Sequence, residues 1–270
     1  MIRSVSFLLL GCMIFSVKAW AQHGQINWPG GAKAALCLTY DDAMDTHLDI
    51  AIPDLNKYGL KGTFYLQGDN IRIERLEEWR LASMQGHELG NHTAFHPCSE
   101  ELDFITEEYA AENYSVDRIL RELEVMNILL HAIDGKIDRT YAYTCGQTDF
   151  GGVSIIDTLK ASGLFIAARG SGGGVVENFK TIELFHVSSG GYEGMSGNEM
   201  IDYARKAEEA GGLAVFTMHG VGGQYLNVSR EAHDELLKYL NDQRDTYWVA
   251  TFREVVKHVI RERKRMGWSN

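Results

Sequence analysis

Two adjacent carboxylates, Asp41 and Asp42, end an apolar run, and two imidazoles stand four residues apart in the later sequence His92-Thr93-Ala94-Phe95-His96. Histidines at this spacing lie on one face of a helix or converge in a tight loop. Asp42, His92 and His96 together supply a ligand set for a divalent metal with open positions. Asp41 is then a neighbouring carboxylate that can accept a proton. A metal with an open position and an unligated base are the minimum equipment for hydrolysing an acyl group.

The acidic pair also favours a bound cation, because neighbouring carboxylates are difficult to keep ionised without one. A strand-end aspartate that only caps a turn is the alternative, and it is common. No lysine or arginine occurs between Asp42 and Lys57, so a metal is the preferred partner. The donor types suit Zn²⁺ and leave Fe²⁺, Co²⁺ and Ni²⁺ open. His47 follows in the same predicted loop, where it either contacts substrate or is a solvated loop residue.

Repeated β-α units must position these residues, because short apolar runs alternate with amphipathic stretches along the chain. The apolar runs predict strands at residues 34–39, 62–66, 88–91, 139–144, 164–168, 182–187, 213–218 and 248–251. Helical periodicity predicts helices at residues 48–58, 76–85, 105–130, 153–161, 198–209, 229–242 and 252–263. No linker-like tract and no internal repeat divides the chain, so we predict a single α/β domain.

In a barrel of such units, reactive groups gather at the carboxyl ends of the strands. The candidate residues obey this rule: Asp41 and Asp42 follow the first predicted strand, His92 the third, Cys145 the fourth and His219 the seventh. We therefore expect a site assembled from several strand ends. A buried structural histidine is the alternative for His219.

The beginning of the chain has the pattern of a secretory signal peptide. Residues 1–21 start with a short basic region, continue through an apolar run and end in the small-x-small sequence Ala19-Trp20-Ala21. We predict export to the periplasm or the exterior, with the domain at residues 22–270. A lipoprotein signal at Cys12 is the alternative, although the apolar run continues past that cysteine. No other segment is apolar enough to cross a membrane.

The net charge of the chain limits the classes of partner that it can bind. Without residues 1–21 the chain carries 24 basic against 37 acidic residues. This excess of acidic residues excludes the electrostatic pattern of nucleic-acid or anionic-lipid binding, and it favours a neutral or cationic substrate.

Cys37, Cys98 and Cys145 are the cysteines that follow residues 1–21, so at least one thiol is free. A disulfide between Cys98 and Cys145 is one open pairing, and no oligomeric state is indicated.

Three motifs, in their order along the chain, resemble those of a known family. The sequence Thr39-Tyr40-Asp41-Asp42-Ala43, followed by Gly62-Thr63-Phe64-Tyr65, resembles the Thr-Phe-Asp-Asp-Gly signature and next strand of the polysaccharide deacetylase (NodB-homology) family, carbohydrate esterase family 4. The sequence His92-Thr93-Ala94-Phe95-His96 matches its His-Ser/Thr-x-x-His motif, and Val215-Phe216-Thr217-Met218-His219 resembles its late Leu-x-x-His segment. The resemblance spans residues 30–255.

This resemblance implies a distorted (β/α) barrel that removes acetyl groups from an oligo- or polysaccharide with a divalent metal, usually zinc. Carried over by position, Asp41 is the general base. Asp42, His92 and His96 are the metal ligands. His219 is the general acid that protonates the leaving group.

The fourth-strand motif departs from the family's usual Arg-x-Pro-Tyr-Gly. This chain has Ala142-Tyr143-Thr144-Cys145-Gly146, without the arginine that orients the base and without proline. If Gly146 anchors the alignment, the backbone N–H of Cys145 takes the oxyanion-stabilising role. Arg169, after the next predicted strand, is a replacement cation for the base, and an ordinary surface charge is the alternative.

The predicted function is therefore exported, metal-dependent carbohydrate deacetylation, with the acetyl group on nitrogen or on oxygen. Tyr192 and Tyr225 are candidate aromatic platforms for a sugar ring, and Trp248 is either a platform or part of the core. Two alternatives stay open. One is hydrolysis of a non-acetyl C–N bond in a small amide, and the other is a glycan-binding protein that has lost turnover with its motif arginine.

Overall fold

The computed structural model describes residues 24–191 and 193–268 of the chain. The predicted signal peptide at residues 1–21, the alternative lipoprotein site at Cys12 and the candidate platform Tyr192 lie outside the described residues. Within the described ranges, no helix combines the length and the apolar character needed to span a bilayer.

A curled parallel sheet positions the candidate residues. Its strands lie side by side in the order β7 (Ala167–Arg169), β4 (Thr140–Ala142), β3 (Glu88–Asn91), β2 (Thr63–Leu66), β1 (Ala34–Asp41) and β8 (Leu213–Met218). The short strand β9 (Tyr247–Val249) pairs with the first half of β1, and β2 pairs with the second half. A separate antiparallel hairpin contains β5 (Asp149–Phe150) and β6 (Val153–Ser154). Because the strands of the main sheet are parallel, their carboxyl ends share one edge.

Alternation along β1 supplies two separate apolar layers. Leu36 and Leu38 pack in one cluster, and Ala35 and Cys37 pack in the other. Asp41 has the same parity as Ala35 and Cys37, so it continues the second row. A carboxylate is thereby placed at the end of a buried row whose one other polar member, Thr39, donates its hydroxyl to the Phe216 carbonyl.

Helices cover the sheet and complete both layers. They are α1 (Ile52–Lys57), which continues a π-helical turn at His47–Ala51, α2 (Leu76–Met84), α3 (Val116–Asp134), α4 (Ile156–Ser162), α5 (Gly197–Ala210), α6 (Arg230–Asp242) and α7 (Phe252–Arg265). Serine or threonine side chains cap the starts of α3, α5, α6 and α7, which fixes where these helices begin. Apolar residues of α2, α5 and α6 belong to the first layer, those of α7 belong to the second, and α3 contributes to both.

Residues 187–190 join the two edges of the sheet. Val187 forms a parallel bridge with Arg169 at the end of β7, and Gly190 forms one with Phe216 in β8. Each bridge involves a single residue pair, so this segment closes the curled sheet without becoming a full strand.

Most predicted elements are confirmed, and three differ. The strand predicted at residues 182–187 is wrong, because only the isolated bridge at its last residue forms. The helix predicted at residues 105–130 begins only after Ser115, whose hydroxyl caps α3, and 3₁₀ turns precede it. The β5–β6 hairpin was not predicted, and β6 occupies the first residues of the helix predicted at residues 153–161, which begins instead at Ile156. The hairpin turn uses Gly151 and Gly152, both left-handed, which is the Gly-Gly signal of a tight hairpin.

Candidate active site

Asp42 lies just beyond β1, where the backbone turns through left-handed conformations at Asp42 (φ 80°) and Ala43 (φ 53°). The Asp42 N–H donates to the Tyr65 carbonyl (3.0 Å), and the Asn70 side-chain amide donates to the Asp42 carbonyl (3.0 Å). Non-glycine residues persist in such conformations only where their surroundings enforce them, and they concentrate at functional sites. The enforced turn therefore marks this strand end as a candidate site.

His92 and His96 face the Asp42 carboxylate. Their Nε2 atoms lie 3.3 Å and 3.4 Å from Asp42 Oδ1. The other ring nitrogen of His92, Nδ1, is 2.8 Å from the Ala142 carbonyl, so a proton donated there leaves Nε2 free as a ligand. Asp42 Oδ1 is buried and has no hydrogen-bond partner among the described residues. Two imidazole nitrogens converging on an unpaired carboxylate oxygen fit a divalent metal ion.

The protonation states suit a cation. Burial raises the pKa of Asp42, but its contact with His92 and the nearby His96 and His219 outweigh burial and hold that pKa below its usual range. Burial lowers the pKa of His96 to about 4. At neutral pH Asp42 is therefore ionised and His96 neutral, as metal ligation requires. The pKa of His92 is raised even though burial lowers it, because Asp41 and Asp42 favour positive charge at this point.

Arg169 is the direct partner of Asp41. Its Nη2 atom lies 2.5 Å from Asp41 Oδ2, and both side chains are buried. The guanidinium also donates to the Thr217 hydroxyl and lies over the Tyr65 ring, 5.2 Å from the ring centroid. Asp41 Oδ1 is buried without a hydrogen-bond partner in the described ranges. The structure thus brings Arg169 to Asp41, the alternative of a surface charge is wrong, and the orienting role stays a prediction.

His219 and Cys145 lie in two further loops, His219 near Asp42 and Cys145 near His96. Nε2 of His219 is 3.8 Å from Asp42 Oδ2, and its side chain is 23% exposed, so a substrate can reach it. Cys145 is disulfide-bonded to Cys98, whose sulfur lies 3.4 Å from Nδ1 of His96. The bond links the loop of His96 to the loop after β4, and it makes both sulfurs unavailable as ligands. The oxyanion role of the Cys145 N–H stays a prediction.

His47 does not reach the surface of the site, so both its predicted substrate contact and the solvated alternative are wrong. Its side chain is fully buried, with Nε2 2.9 Å from the His219 carbonyl and the ring against Phe64 and Trp79. It supports the backbone of His219 from inside the protein. Trp248 lies in β9 beside the beginning of β1 and packs in the second apolar layer, so it is not a sugar platform at this site.

Two polar contacts were missed by the sequence analysis. The Tyr225 hydroxyl donates to Asp42 Oδ2 at 2.9 Å. Glu122 on α3 accepts the N–H groups of Ala94 and Phe95, at 3.1 Å and 3.0 Å, and so fixes the loop between the two histidines. A signal for Glu122 was present, because it is a carboxylate among the buried apolar positions of an amphipathic helix.

Comparisons with known proteins agree with the sequence motifs around Asp41 and His92. The family model described as polysaccharide deacetylase matches residues 30–160. A gellan lyase from a Bacillus species is 24% identical over 265 residues, a match that covers 88% of this chain and 10% of that protein. The chain thus spans about a tenth of the length of that curated relative.

Two solved structures show the same fold. A Mycobacterium smegmatis protein, solved as a candidate polysaccharide deacetylase, has a TM-score of 0.64 at 14% identity, with coverage of 89% of this chain and 94% of that one. A peptidoglycan deacetylase from Bacillus subtilis has a TM-score of 0.51 at 18% identity, with coverage of 87% and 98%. The family resemblance and the distorted (β/α) barrel of one domain are confirmed.

Proposed function

We propose that this chain, whose residues 30–160 match the polysaccharide deacetylase family model and whose fold is of the NodB type, hydrolyses acetyl groups of a carbohydrate with a divalent metal, most simply Zn²⁺. One observation carries the proposal. The two adjacent aspartates have different partners. Asp42 Oδ1 faces two imidazoles. Asp41 Oδ2 is paired with Arg169, and Asp41 Oδ1 has no hydrogen-bond partner among the described residues. A ligand and a base therefore stand side by side with separate partners.

The three ligands and the base have distinct tasks. Asp42, His92 and His96 would hold the metal ion, which when bound polarises the acyl carbonyl and makes a water molecule a stronger nucleophile. Asp41 accepts the proton of the attacking water on Oδ1. Arg169 holds Oδ2, which keeps the carboxylate in one orientation and balances its charge in a buried position.

The leaving group needs a proton, and His219 is the group that can supply it. Its partly exposed imidazole lies across the Asp42 carboxylate from the two histidines. In its protonated form it donates to the departing amine or alkoxide. The backbone N–H of Cys145 is the proposed donor to the oxygen that becomes negative during attack.

Acetate release tests the proposal. Purified protein is incubated with N-acetylated and O-acetylated oligosaccharides, with added Zn²⁺ and with a chelator, and acetate is measured together with bound metal. Asp41→Asn is expected to abolish release while metal stoichiometry is retained, and Asp103→Asn, an exposed carboxylate outside the site, serves as the control. Equal loss of metal in Asp41→Asn would show that the base and ligand roles are assigned to the wrong aspartates.

The general-acid role has its own test. His219→Ala is expected to slow turnover by about 10²–10⁴-fold with unchanged metal content, which is the usual contribution of acid–base catalysis. His131→Ala, a change at an exposed histidine on α3, is the matched control. Loss of metal in His219→Ala would remove His219 from the acid role.

The same assays separate the alternatives. Tight metal binding and glycan binding without acetate release from any substrate would favour a non-catalytic glycan-binding protein. Amine release from a small amide, without release of acetate, would favour hydrolysis of a non-acetyl C–N bond.

We also propose that the protein is exported, on the basis of the signal-peptide pattern in residues 1–21. Amino-terminal sequencing of the protein from its native fraction is expected to begin at Gln22. An acylated terminus at Cys12 would support the lipoprotein alternative, and an intact Met1 in the cytosol would overturn export.

A further inference from the structure

Tyr225 lies in the segment between β8 and α6 and is not used by the proposed chemistry. Its hydroxyl donates to Asp42 Oδ2 at 2.9 Å, and its ring centroid is 6.4 Å from that of His219. The residue is 51% exposed. A large aromatic side chain is therefore hydrogen-bonded to a metal-ligand candidate at one end and open to solvent over half of its surface.

The backbone around Tyr225 is held in an unusual shape. Gln224 (φ 64°) and Leu226 (φ 45°), its two neighbours, are both non-glycine residues in the left-handed region. The loop is tied at several points, because the Gln224 side-chain oxygen accepts the Thr46 N–H (2.9 Å) and the Asn227 carbonyl accepts the Gly194 N–H (3.0 Å). Conformations of this kind persist where the surroundings over-determine them, and they often serve a functional group. Here the group presented between the two strained residues is the phenol.

The contact gives the two oxygens of Asp42 different environments. Oδ1 faces the Nε2 atoms of His92 and His96, whereas Oδ2 accepts the Tyr225 hydroxyl. A hydrogen bond to the second oxygen restricts rotation of the carboxylate and keeps Oδ1 directed at the histidines. Partners of this kind orient metal ligands, and their loss commonly weakens metal affinity by about 10- to 100-fold.

We propose that Tyr225 positions Asp42 through its hydroxyl and forms, with its ring, a wall of the substrate site on which the apolar face of a sugar ring packs. This inference rests on the proposed carbohydrate substrate and metal site. It assigns separate tasks to two parts of one side chain. The two parts are separable by substitution, since phenylalanine keeps the ring and alanine removes it.

Tyr225→Phe, Tyr225→Ala and the control Tyr58→Phe test the assignment. The Tyr58 hydroxyl donates to Asp234 at 2.9 Å, so the control loses the same type of hydrogen bond at a distant surface position. Zn²⁺ dissociation constants are measured by competition with a chromophoric chelator, and kcat and KM are measured separately at saturating Zn²⁺. Tyr225→Phe is expected to raise the Zn²⁺ dissociation constant by about tenfold or more and to leave KM unchanged. Tyr225→Ala is expected to raise KM severalfold in addition, and Tyr58→Phe is expected to change neither quantity.

Each outcome decides one part of the inference. Wild-type Zn²⁺ affinity in Tyr225→Phe would overturn the positioning role, and an unchanged KM in Tyr225→Ala would overturn the wall. Failure of the wild-type protein to bind Zn²⁺ would overturn the proposed function and this inference with it. Normal Zn²⁺ binding and acetate release by all three variants would overturn this inference alone.

Discussion

Removal of the Cys98–Cys145 disulfide should destabilise the protein by a calculable amount. The two cysteines are separated by 47 positions, so the bond closes a long loop in the unfolded chain. In the chain-entropy account, opening a loop of that length costs about 4 kcal/mol of the free energy of unfolding. The stability should be lost because the unfolded chain gains conformational freedom without the bond. The folded loops keep other contacts, such as the hydrogen bond from the Thr144 hydroxyl to the Pro97 carbonyl (2.6 Å).

Urea unfolding measures this effect in the presence of a chelator, which removes any contribution from bound metal. The double variant Cys98→Ala/Cys145→Ala is compared with the wild-type protein and with Cys37→Ala, whose thiol is free and buried. For an m-value of about 2–3 kcal/mol/M, the midpoint of the double variant should fall by roughly 1.5 M. Reduction of the wild-type protein by a dithiol should give a similar fall, and Cys37→Ala should keep its sensitivity to reduction.

A loss below about 1 kcal/mol in the double variant would refute the reasoning. It would show that the unfolded chain is already restricted, or that the disulfide strains the native loops as much as it restricts the unfolded ones. The metal measurement adds a second criterion. His96 lies two residues before Cys98 and contacts its sulfur, so Zn²⁺ affinity should fall together with stability when the bond is absent.

Three further predictions concern buried ionisable groups. Arg169→Met should destabilise by about 3–5 kcal/mol in urea unfolding, because it leaves the buried Asp41 carboxylate uncompensated, and the added change Asp41→Asn should recover part of that loss; equal stability of the single and double variants would contradict the pairing. Glu122→Leu should cost about 1–3 kcal/mol and weaken Zn²⁺ binding, because it removes the acceptor of two loop N–H groups, whereas Glu124→Leu, a change at an exposed neighbour, should do neither. Stability of the metal-free protein should fall as the pH drops from about 6.5 toward 4, by up to about 1.4 kcal/mol per pH unit for each buried neutral histidine, because the unfolded chain binds the protons that the folded chain excludes. The raised pKa of His92 acts in the opposite direction at higher pH. Urea unfolding at several pH values with chelator checks this slope, and a flat profile would count against the burial of the histidines whose pKa burial lowers to about 4, namely His47, His96 and His233.

Local patterns predicted the parts of this structure that local physics determines. The first strand and its terminal acidic pair follow from one apolar run, and most of the helices follow from apolar residues at helical spacing. The loop of His92 and His96 was predicted because its two histidines are close in sequence. The strand predicted at residues 182–187 failed because an apolar run does not reveal whether a partner strand is within hydrogen-bonding distance.

Contacts between residues that are distant in sequence were harder to predict. The pairing of Asp41 with Arg169 was proposed only as a replacement for a missing cation, and the structure brings the two together across the sheet. The contact from Tyr225 to Asp42 depends on a strained loop that no spacing rule describes. His47 was misassigned because a histidine near an active site has no sequence signal for burial. Its environment is set by aromatic rings contributed from other elements.

Because residues 187–190 form only isolated bridges, the edge of the sheet near Arg169 should open locally more easily than the strands that carry Asp42 and His92. Asp42 and His92 follow β1 and β3, which are both interior strands of the sheet, whereas Arg169 belongs to the edge strand β7, which is joined to β8 only through single-pair bridges. Sub-global opening begins where backbone pairing is sparse, so amide exchange should be fastest along this edge. A brief opening there would separate Arg169 from Asp41 while the candidate metal ligands Asp42 and His92 stayed in place. On heating, the proposed base should therefore lose its orientation before the candidate metal site is disrupted, so acetate release should fall before any bound metal is lost.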